Sequence, residues 1–438
     1  MPNPFLPLWE YIPDGEPRVF GDRVYVYGSH DKAGSDRFCD YVLKVWSAPL
    51  DNLNDWVCHG DAFHTRIDRD HPSDVDWTDN ELYAPDVVEK DGKYYLYAYI
   101  LNSKGCVACS DRPEGPFKLI SQYKYNLPEG KGDKGIFVDP GVLVDGGKVY
   151  IYCGFLHSFM AQINPDNMYE IIDGSFIDDI IPEQAPFEFF EACSPRKVGD
   201  TYYLIYSPKI GSRLAYATSK SPTGPFQYRG VIIDNGIDYP GGNNHGSICQ
   251  INGQWYIFYH RMTNGTIMSR RACVEKIQIL PNGTIPQVCM TSLGFEDSLS
   301  PYKITPAEIA CVLKGGCMIT EKNVFTRVIT NIKNGCIIGY KYFDFGQDFS
   351  SKSMEFQMKV AGSGCESQVR ILLDDYNNGL EIGRCKIGLD DGIYKTIVKN
   401  VTGVHALYFV VEDEYKGHFA DMFKGRNLFD LESFVFTK

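Results

Sequence analysis

GKYYLY, residues 92–97, sets a glycine ahead of a tyrosine-rich extended run, and the same figure returns along the chain: GDRVYVY at 21–27, GKVYIY at 147–152, GDTYYLIY at 199–206 and GQWYIFY at 253–259. Aromatic and β-branched residues in short runs, cut off by Gly, Asp, Asn and Pro, read as strands. Five copies spaced roughly 50 to 70 residues apart fall in the range of propeller blades. A second repeat supports this, because SDRPEGPF at 110–117 and SKSPTGPF at 219–226 share the pattern S-x-x-P-x-G-P-F after an apolar strand. Each unit is a small antiparallel sheet that cannot bury both faces alone. Five packed radially cover one another and leave a central channel.

After Pro301 the glycine-tyrosine figure stops, and strand-like runs continue at 336–343, 354–360, 369–374, 406–411 and 428–436. The sequence therefore predicts an all-β chain. A five-bladed β-propeller spans 1–300 and a β-sandwich (jelly-roll) domain spans 301–438, with a linker over 291–305.

Composition narrows the function classes. The 438 residues exceed what a single core usually serves, which agrees with two domains. A net charge of -13 disfavours nucleic acid and anionic membranes, which need clustered Lys and Arg, and favours a neutral substrate. No run of 18 apolar residues occurs, and 1–15 lacks a basic segment followed by an apolar one, so neither a membrane span nor a secretory signal is expected. A cytoplasmic enzyme acting on short imported oligosaccharides is the matching expectation. The 14 cysteines are scattered through apolar runs and read as free and buried, and the lone CxxC at Cys106 and Cys109 lacks the partners of a zinc site.

Three carboxylates stand apart. Asp14 lies in IPDG at 12–15, Asp139 in FVDPG at 137–141 and Glu191 in FFEA at 189–192. Apolar neighbours predict desolvation, which raises a carboxyl pKa and lets an acid stay protonated near neutrality. Each precedes the glycine-tyrosine strand of its own repeat, so radial symmetry brings all three to one end of the channel. Isolated loop acids usually cap turns. Three at equivalent blade positions point to catalysis.

These stretches, with Asn3-Pro4, YAPDV at 83–87, EACS at 191–194 and HGS at 245–247, resemble glycoside hydrolase family 43, the β-xylosidase and α-L-arabinofuranosidase family with a five-bladed propeller. The resemblance implies that Asp14 is the general base, Glu191 the general acid, and Asp139 the acid that orients Glu191 and tunes its pKa. It implies inversion at the sugar, with base and acid about 6.5 to 9.5 Å apart to admit a water. Many relatives carry Gly after the catalytic Glu, where this chain has Ala192; the change bears on the local backbone angle. It also implies that His245 lies near the channel axis beside a calcium ion held through waters. Arg270 and Arg271 open a strand, and alternation aims only one inward; counting along the family's strand favours Arg270 as the substrate-contacting residue. Trp77, ahead of the Ala84-Pro85-Asp86 motif, is a candidate sugar-stacking platform.

The runs at 335–346, 403–410 and 428–436 are similar to carbohydrate-binding modules of family 6, which implies a possible structural calcium with Glu321 and Glu432 as candidate ligands. The closing LESF at 431–434 departs from that family's usual Asp-Trp pair, and no aromatic platform is evident. A sandwich that supports the propeller or walls the pocket is the preferred reading. For the whole chain the sequence favours an exo-acting, inverting hydrolase that needs no cofactor for its chemistry and releases terminal pentose, α-L-arabinofuranose preferred, from arabinoxylan or arabinan fragments. A β-D-xylosidase or dual-activity enzyme, an endo-acting arabinanase and a non-catalytic sugar-binding propeller are the alternatives.

Overall fold

The computed structural model describes residues 1–68, 71–126, 136–347 and 353–438. Blade I comprises β1 (Glu16–Phe20), β2 (Arg23–Gly28), β3 (Val42–Pro49) and β4 (Val57–His64). Blade II comprises β5 (Leu82–Lys90), β6 (Lys93–Ile100), β7 (Cys106–Ser110) and β8 (Lys118–Gln122). Blade III comprises β9 (Gly141–Asp145), β10 (Lys148–Cys153), β11 (Phe159–Ile163) and β12 (Ile177–Asp178). Blade IV comprises β13 (Phe189–Val198), β14 (Thr201–Pro208), β15 (Arg213–Ser219) and β16 (Gln227–Asp234). Blade V has β17 (Ser247–Ile251), β18 (Gln254–Thr263) and β19 (Thr266–Ile277). Each is an antiparallel sheet with strands in sequence order.

The first strands surround the axis: β1 neighbours β5 and β17, and β9 lies between β5 and β13. The glycine-tyrosine runs thus form the second strand of every blade. Their tyrosines pack between blades, and three hydroxyls reach the next blade: Tyr27 donates to Pro113 O at 2.6 Å, Tyr97 to Met168 O at 3.0 Å and Tyr152 to Pro222 O at 2.6 Å. Pro113 and Pro222 are the prolines of the S-x-x-P repeats, so one repeat anchors the other.

The N-terminus completes blade V. Asn3, fully buried, donates through Nδ2 to Val274 O at 2.8 Å and accepts from Val274 N–H at 2.9 Å, while Phe5 N–H donates to Ala272 O. Phe5 and Leu6 then join a core with Ile12, Val24, Trp46, Tyr256 and Phe258, which seals blade V against blade I.

Near the axis, buried ion pairs tie the inner strands together. Arg18 on β1 grips Asp86 on β5 with two bonds, Nε at 3.0 Å and Nη2 at 2.5 Å, and Arg196 on β13 donates to Glu16 on β1 at 2.7 Å. Such pairs repay their desolvation only when the donors are well satisfied. Arg196 makes five hydrogen bonds, including those to Ile248 O and Pro17 O.

Residues 305–437 build two antiparallel sheets. One runs Met318–Asn323, Thr326–Thr330, Phe429–Thr437, Ser353–Gly362, Gly392–Lys399, with Thr305–Pro306 also paired to Phe429–Thr437. The other runs Val312–Lys314, Ile337–Asp344, Val404–Asp413, Ser367–Leu373, Leu380–Ile387. The five expected runs all fall on strands. Val312–Lys314, Met318–Asn323, Thr326–Thr330, Leu380–Ile387 and Gly392–Lys399 lay outside those runs; the last two bury only three residues and one residue respectively. A continuous apolar core runs from Tyr203, Ile257 and Cys273 in blades IV and V through Ile309 and Val312 to Phe409 and Phe434 between the sheets. The expected linker is held on both sides: Ser292 O accepts from Asn3 N–H, while Ser292 N–H donates to Lys341 O and Leu299 N–H to Tyr342 O. Among the described residues no helix is long and apolar enough to cross a membrane.

Candidate active site

Four blades carry a residue with left-handed backbone at the start of their first strand, just before it at Asp14 (φ 57°) and Asp139 (50°) and within its first residues at Ala84 (31°) and Ala192 (69°). Non-glycine residues rarely adopt this conformation, and it tends to mark functional sites. In blades II and IV it coincides with a register shift against the second strand. The kink turns the side chain at the strand's entrance toward the axis. It also explains why glycine would suit position 192, which carries a fully buried alanine.

Asp14, 4% exposed, is surrounded by donors. Ser29 Oγ donates to Oδ2 at 2.7 Å, Arg270 Nη1 to Oδ1 at 2.8 Å, and His245 and His260 stand 3.8 and 3.4 Å from Oδ1. Burial pushes its pKa up, but Arg270, then the His245 imidazolium and the Ser29 hydroxyl, outweigh it, and the carboxyl is held below its usual range. His260 contributes as a neutral ring. Its Nδ1 accepts the Asp14 N–H at 3.2 Å, and its Nε2 lies 3.0 Å from Asn243 O, where only an N–H satisfies the carbonyl. Burial and then Arg270 push its pKa down to about 3, in agreement with that tautomer.

Glu191 has the opposite setting. Burial first, then the charge of Asp139, push its pKa up to about 8. Asp139 is raised to about 6, by burial and then by Asp14, against the pull of His245. Near neutrality Glu191 therefore keeps its proton while Asp14 and Asp139 are ionised, the division of labour that acid–base catalysis needs. His245 Nδ1 lies 3.7 Å from Asp139 Oδ2, and its Nε2 lies 3.9 Å from Glu16 Oε1. Burial disfavours its charge, but Glu16, Asp139 and Asp14 together raise it to about 9, so an imidazolium sits among the acids.

The structure thus brings Asp14, Asp139, Glu191, His245 and Arg270 together. Alternation separates the two arginines as expected: Arg270 faces Asp14, and Arg271 points the other way, 3.5 Å from Glu308. Arg270 is 2% exposed and spends its donors on the protein. Its Nε and Nη2 grip Asp31 at 2.9 Å each, Nη1 holds Asp14, and Nη2 also reaches Cys39 Sγ. It sits behind the base. Trp77 is not among the acids: its indole donates to Ser103 Oγ at 3.1 Å and packs on the core between blades I and II. Glu321 and Glu432 are taken by cations. Arg327 Nη2 lies 2.7 Å from Glu321, Lys359 Nζ lies 2.7 Å from Glu432, and Lys322 also contacts Glu432. Among the described residues neither belongs to a group of three metal-ligating side chains.

Sequence reading missed Ser29, Asp31, His260 and Cys39, none of which sits in a repeated position. It also missed the aromatic rim. Phe38 lies beside Arg270, whose guanidinium is 4.9 Å from the ring centroid. Phe155, 45% exposed, meets Phe190 edge-on at 5.1 Å next to Glu191. The fit of a calcium ion near His245 turns on Glu16 Oε1, a buried oxygen with no hydrogen-bond partner among the described residues. Calcium takes six to eight oxygens. One carboxylate oxygen and one imidazole supply too few, so these residues fit the ion only through intervening waters and only with the His245 ring neutral, the ion taking over the charge of its proton.

A model of "Glycosyl hydrolases family 43" matches residues 10–285. A "Xylosidase/arabinosidase" of Thermoclostridium stercorarium is 39% identical over 472 aligned positions, covering 93% of this chain and 95% of that protein. A β-xylosidase/α-arabinofuranosidase structure from a compost microbial metagenome, in complex with xylotriose and in a calcium-free form, is 28% identical at TM-score 0.54. It covers 66% of this chain and 99% of its own. An arabinoxylan arabinofuranohydrolase structure from Bacillus subtilis, in complex with cellotetraose, is 24% identical at TM-score 0.58 over 100% of this chain and 97% of its own; it shares the fold across both β units.

Proposed function

The chain belongs to glycosyl hydrolases family 43 and is a glycoside hydrolase, and from that premise we propose an exo-acting, inverting enzyme that releases terminal pentose from xylan- or arabinan-derived oligosaccharides. The observation that carries this reading is the opposed protonation of two carboxyls at one channel end, Asp14 held anionic and Glu191 held protonated. Asp14 takes a proton from a water as the water oxygen bonds to the anomeric carbon. Glu191 gives its proton to the glycosidic oxygen as the carbon–oxygen bond breaks. The products are a free pentose of inverted configuration and the shortened glycan. Exchange with solvent then resets both acids.

Asp139 acts through Glu191, its negative charge opposing ionisation of the acid. Arg270, fixed by Asp31, keeps the base ionised. Phe155 and Phe190 offer apolar faces to the C–H side of a sugar on the leaving-group side. α-L-Arabinofuranose is the preferred sugar in this reading and β-D-xylose the alternative, since the relatives are named for both sugars. Residues 1–300 form the catalytic unit, and 301–438 stabilise it through the shared core. A calcium ion held through water by Glu16, and by His245 once its ring has given up a proton, would replace the imidazolium as the counter-charge on the axis; the orphaned Glu16 Oε1 supports that placement.

The test is hydrolysis of 4-nitrophenyl α-L-arabinofuranoside and β-D-xyloside by wild type, Asp14→Ala and Glu191→Ala, with the first-formed anomer read by proton NMR on an oligosaccharide. Cleavage of the arabinoside with inversion, lost in Asp14→Ala, is expected. Cleavage of internal linkages of arabinan with both pentosides untouched would overturn the exo reading.

A further inference from the structure

Away from the channel, at the end of the outermost strand of blade I, Asp61 and His64 of β4 meet His71 from the connection to β5. One ligand atom from each lies within 4.8 Å of the other two. His64 is 4% exposed, and its Nε2 is buried with no hydrogen-bond partner among the described residues. That atom stands 3.4 Å from Asp61 Oδ2, outside hydrogen-bond geometry. The imidazole of His71 is stacked on that of His64 with centroids 4.7 Å apart. A buried imidazole nitrogen normally finds a partner, and one that lacks it calls for a water or an ion.

We propose that Asp61, His64 and His71 bind a divalent transition cation of the zinc class, and that the ion fastens the β4–β5 connection to blade I. Two imidazoles and one carboxylate form a ligand set that suits zinc and not calcium. Tetrahedral zinc with bonds of about 2.0–2.1 Å spaces its ligand atoms roughly 3.3–3.4 Å apart. Asp61 and His64 already stand at that separation, and the exposed His71 closes the remainder by a side-chain rotation. A ligating imidazole usually gives its other nitrogen to a carboxylate. Asp68 Oδ2 is the nearest such carboxylate, 3.8 Å from His64 Nδ1 and so short of a hydrogen bond until the ring turns, and its Oδ1 accepts the backbone N–H of His71 at 2.8 Å, which tethers that residue beside the site. Solvent fills the fourth position. The exposed trio His157, Asp179 and Glu183 offers no buried orphaned nitrogen among the described residues and already pairs Glu183 with Lys209 at 2.7 Å, which makes it the comparison site.

The clip bears on catalysis through the backbone it holds. The connection from His64 leads into β5, where Ala84 N–H donates to Ser29 Oγ at 2.7 Å, and Ser29 in turn holds Asp14.

The experiment titrates the full-length protein, stripped with chelator and desalted, with Zn²⁺ under metal-buffered dialysis, and repeats the titration for His71→Ala, Asp61→Asn and His157→Ala. The free cysteines also bind zinc, so the result is read as the difference between wild type and variant. Wild type and His157→Ala should take up one equivalent that His71→Ala and Asp61→Asn bind more weakly by at least the roughly 10- to 100-fold that losing a mere supporting group costs. Zinc should also raise the melting temperature of wild type but not of His71→Ala. Equal uptake by wild type and both site variants, or loss of the equivalent in His157→Ala, would overturn the proposal.

Discussion

Replacing Arg270 by Met should move the whole pH profile of kcat/KM upward and should move its acidic side most. Arg270 Nη1 touches Asp14 Oδ1 at 2.8 Å, in a site where both residues are under 5% exposed. Two unit charges about 4 Å apart at an effective dielectric of about 20 attract by about 4 kcal/mol. Without Arg270 the ionised fraction of Asp14 at a fixed acidic pH falls by up to about a thousandfold. The sign follows from the role: the base works when ionised, so activity that wild type keeps well into acid is lost in the variant as pH falls from neutrality. Glu191 works when protonated, so wild-type activity falls as pH rises through about 8. Arg270 is also a weaker influence holding Glu191 down, and its removal shifts that alkaline limb upward by a smaller amount. The assay is kcat/KM for 4-nitrophenyl α-L-arabinofuranoside from pH 4 to 9. Breaking a buried pair costs about 3–5 kcal/mol of stability, so melting curves accompany it, and Arg270→Lys, which keeps the charge, should return the acidic limb toward wild type. A uniform fall at every pH, with both limbs unmoved, would refute the assignment of Arg270 as the group that holds the base ionised.

Three further outcomes follow from the same geometry. Glu191→Ala should lose roughly 10²- to 10⁴-fold on xylo-oligosaccharides but far less on 2,4-dinitrophenyl glycosides, whose leaving group needs no proton, while Asp14→Ala loses both; steady-state kinetics on the two substrate types decides. Tyr152→Phe leaves the Pro222 carbonyl without its 2.6 Å donor and should destabilise the chain by about 1–3 kcal/mol with kcat/KM unchanged, read by chemical denaturation. Ala192→Gly relieves a left-handed alanine at φ 69° and should stabilise by about 1 kcal/mol; a loss of stability would show that the alanine methyl packs more usefully than its backbone strains.

What the sequence made legible follows from repetition. Asp14, Asp139, Glu191 and His245 stand near the starts of the inner strands of blades I, III, IV and V, so a period in the sequence became a ring in space. Alternation required only that Arg270 and Arg271 face opposite sides; the family resemblance picked Arg270 as the inward one, and its place behind the base, spent on Asp31 and Asp14, was not legible. Asp31, Ser29 and His260 were hidden because each reaches the site through contacts to residues some 15 to 250 positions away, with no period to betray them. Trp77 misled for a physical reason: an indole needs both an apolar bed and a partner for its N–H, and the core between blades I and II with Ser103 supplies both. Glu321 and Glu432 looked like ligands because their counter-ions lie across strand pairings. Arg327 sits opposite Glu321 in the hairpin register, and Lys359 lies one pairing from Glu432. A hairpin reading of 318–330 would have paired Glu321 with Arg327 before any metal.

The bond between Asn3 and Val274 joins residues 271 apart. A ribosome adding about 5–20 residues per second needs roughly 14–54 s to make that span. Throughout that interval the opening segment has no strand to lie against, and blade I shows an uncovered flank containing Val24, Val26 and Trp46, side chains that are buried only once Tyr256 and Phe258 arrive. The nascent chain is therefore a growing arc with two adhesive ends. Its closure depends on the last blade finding its own first residues before a neighbouring chain offers the same surface, and crowding on a polysome sets that competition. Slower translation after residue 277, or a chaperone that shields the blade I flank, should raise the yield of closed rings without altering any contact in the finished protein.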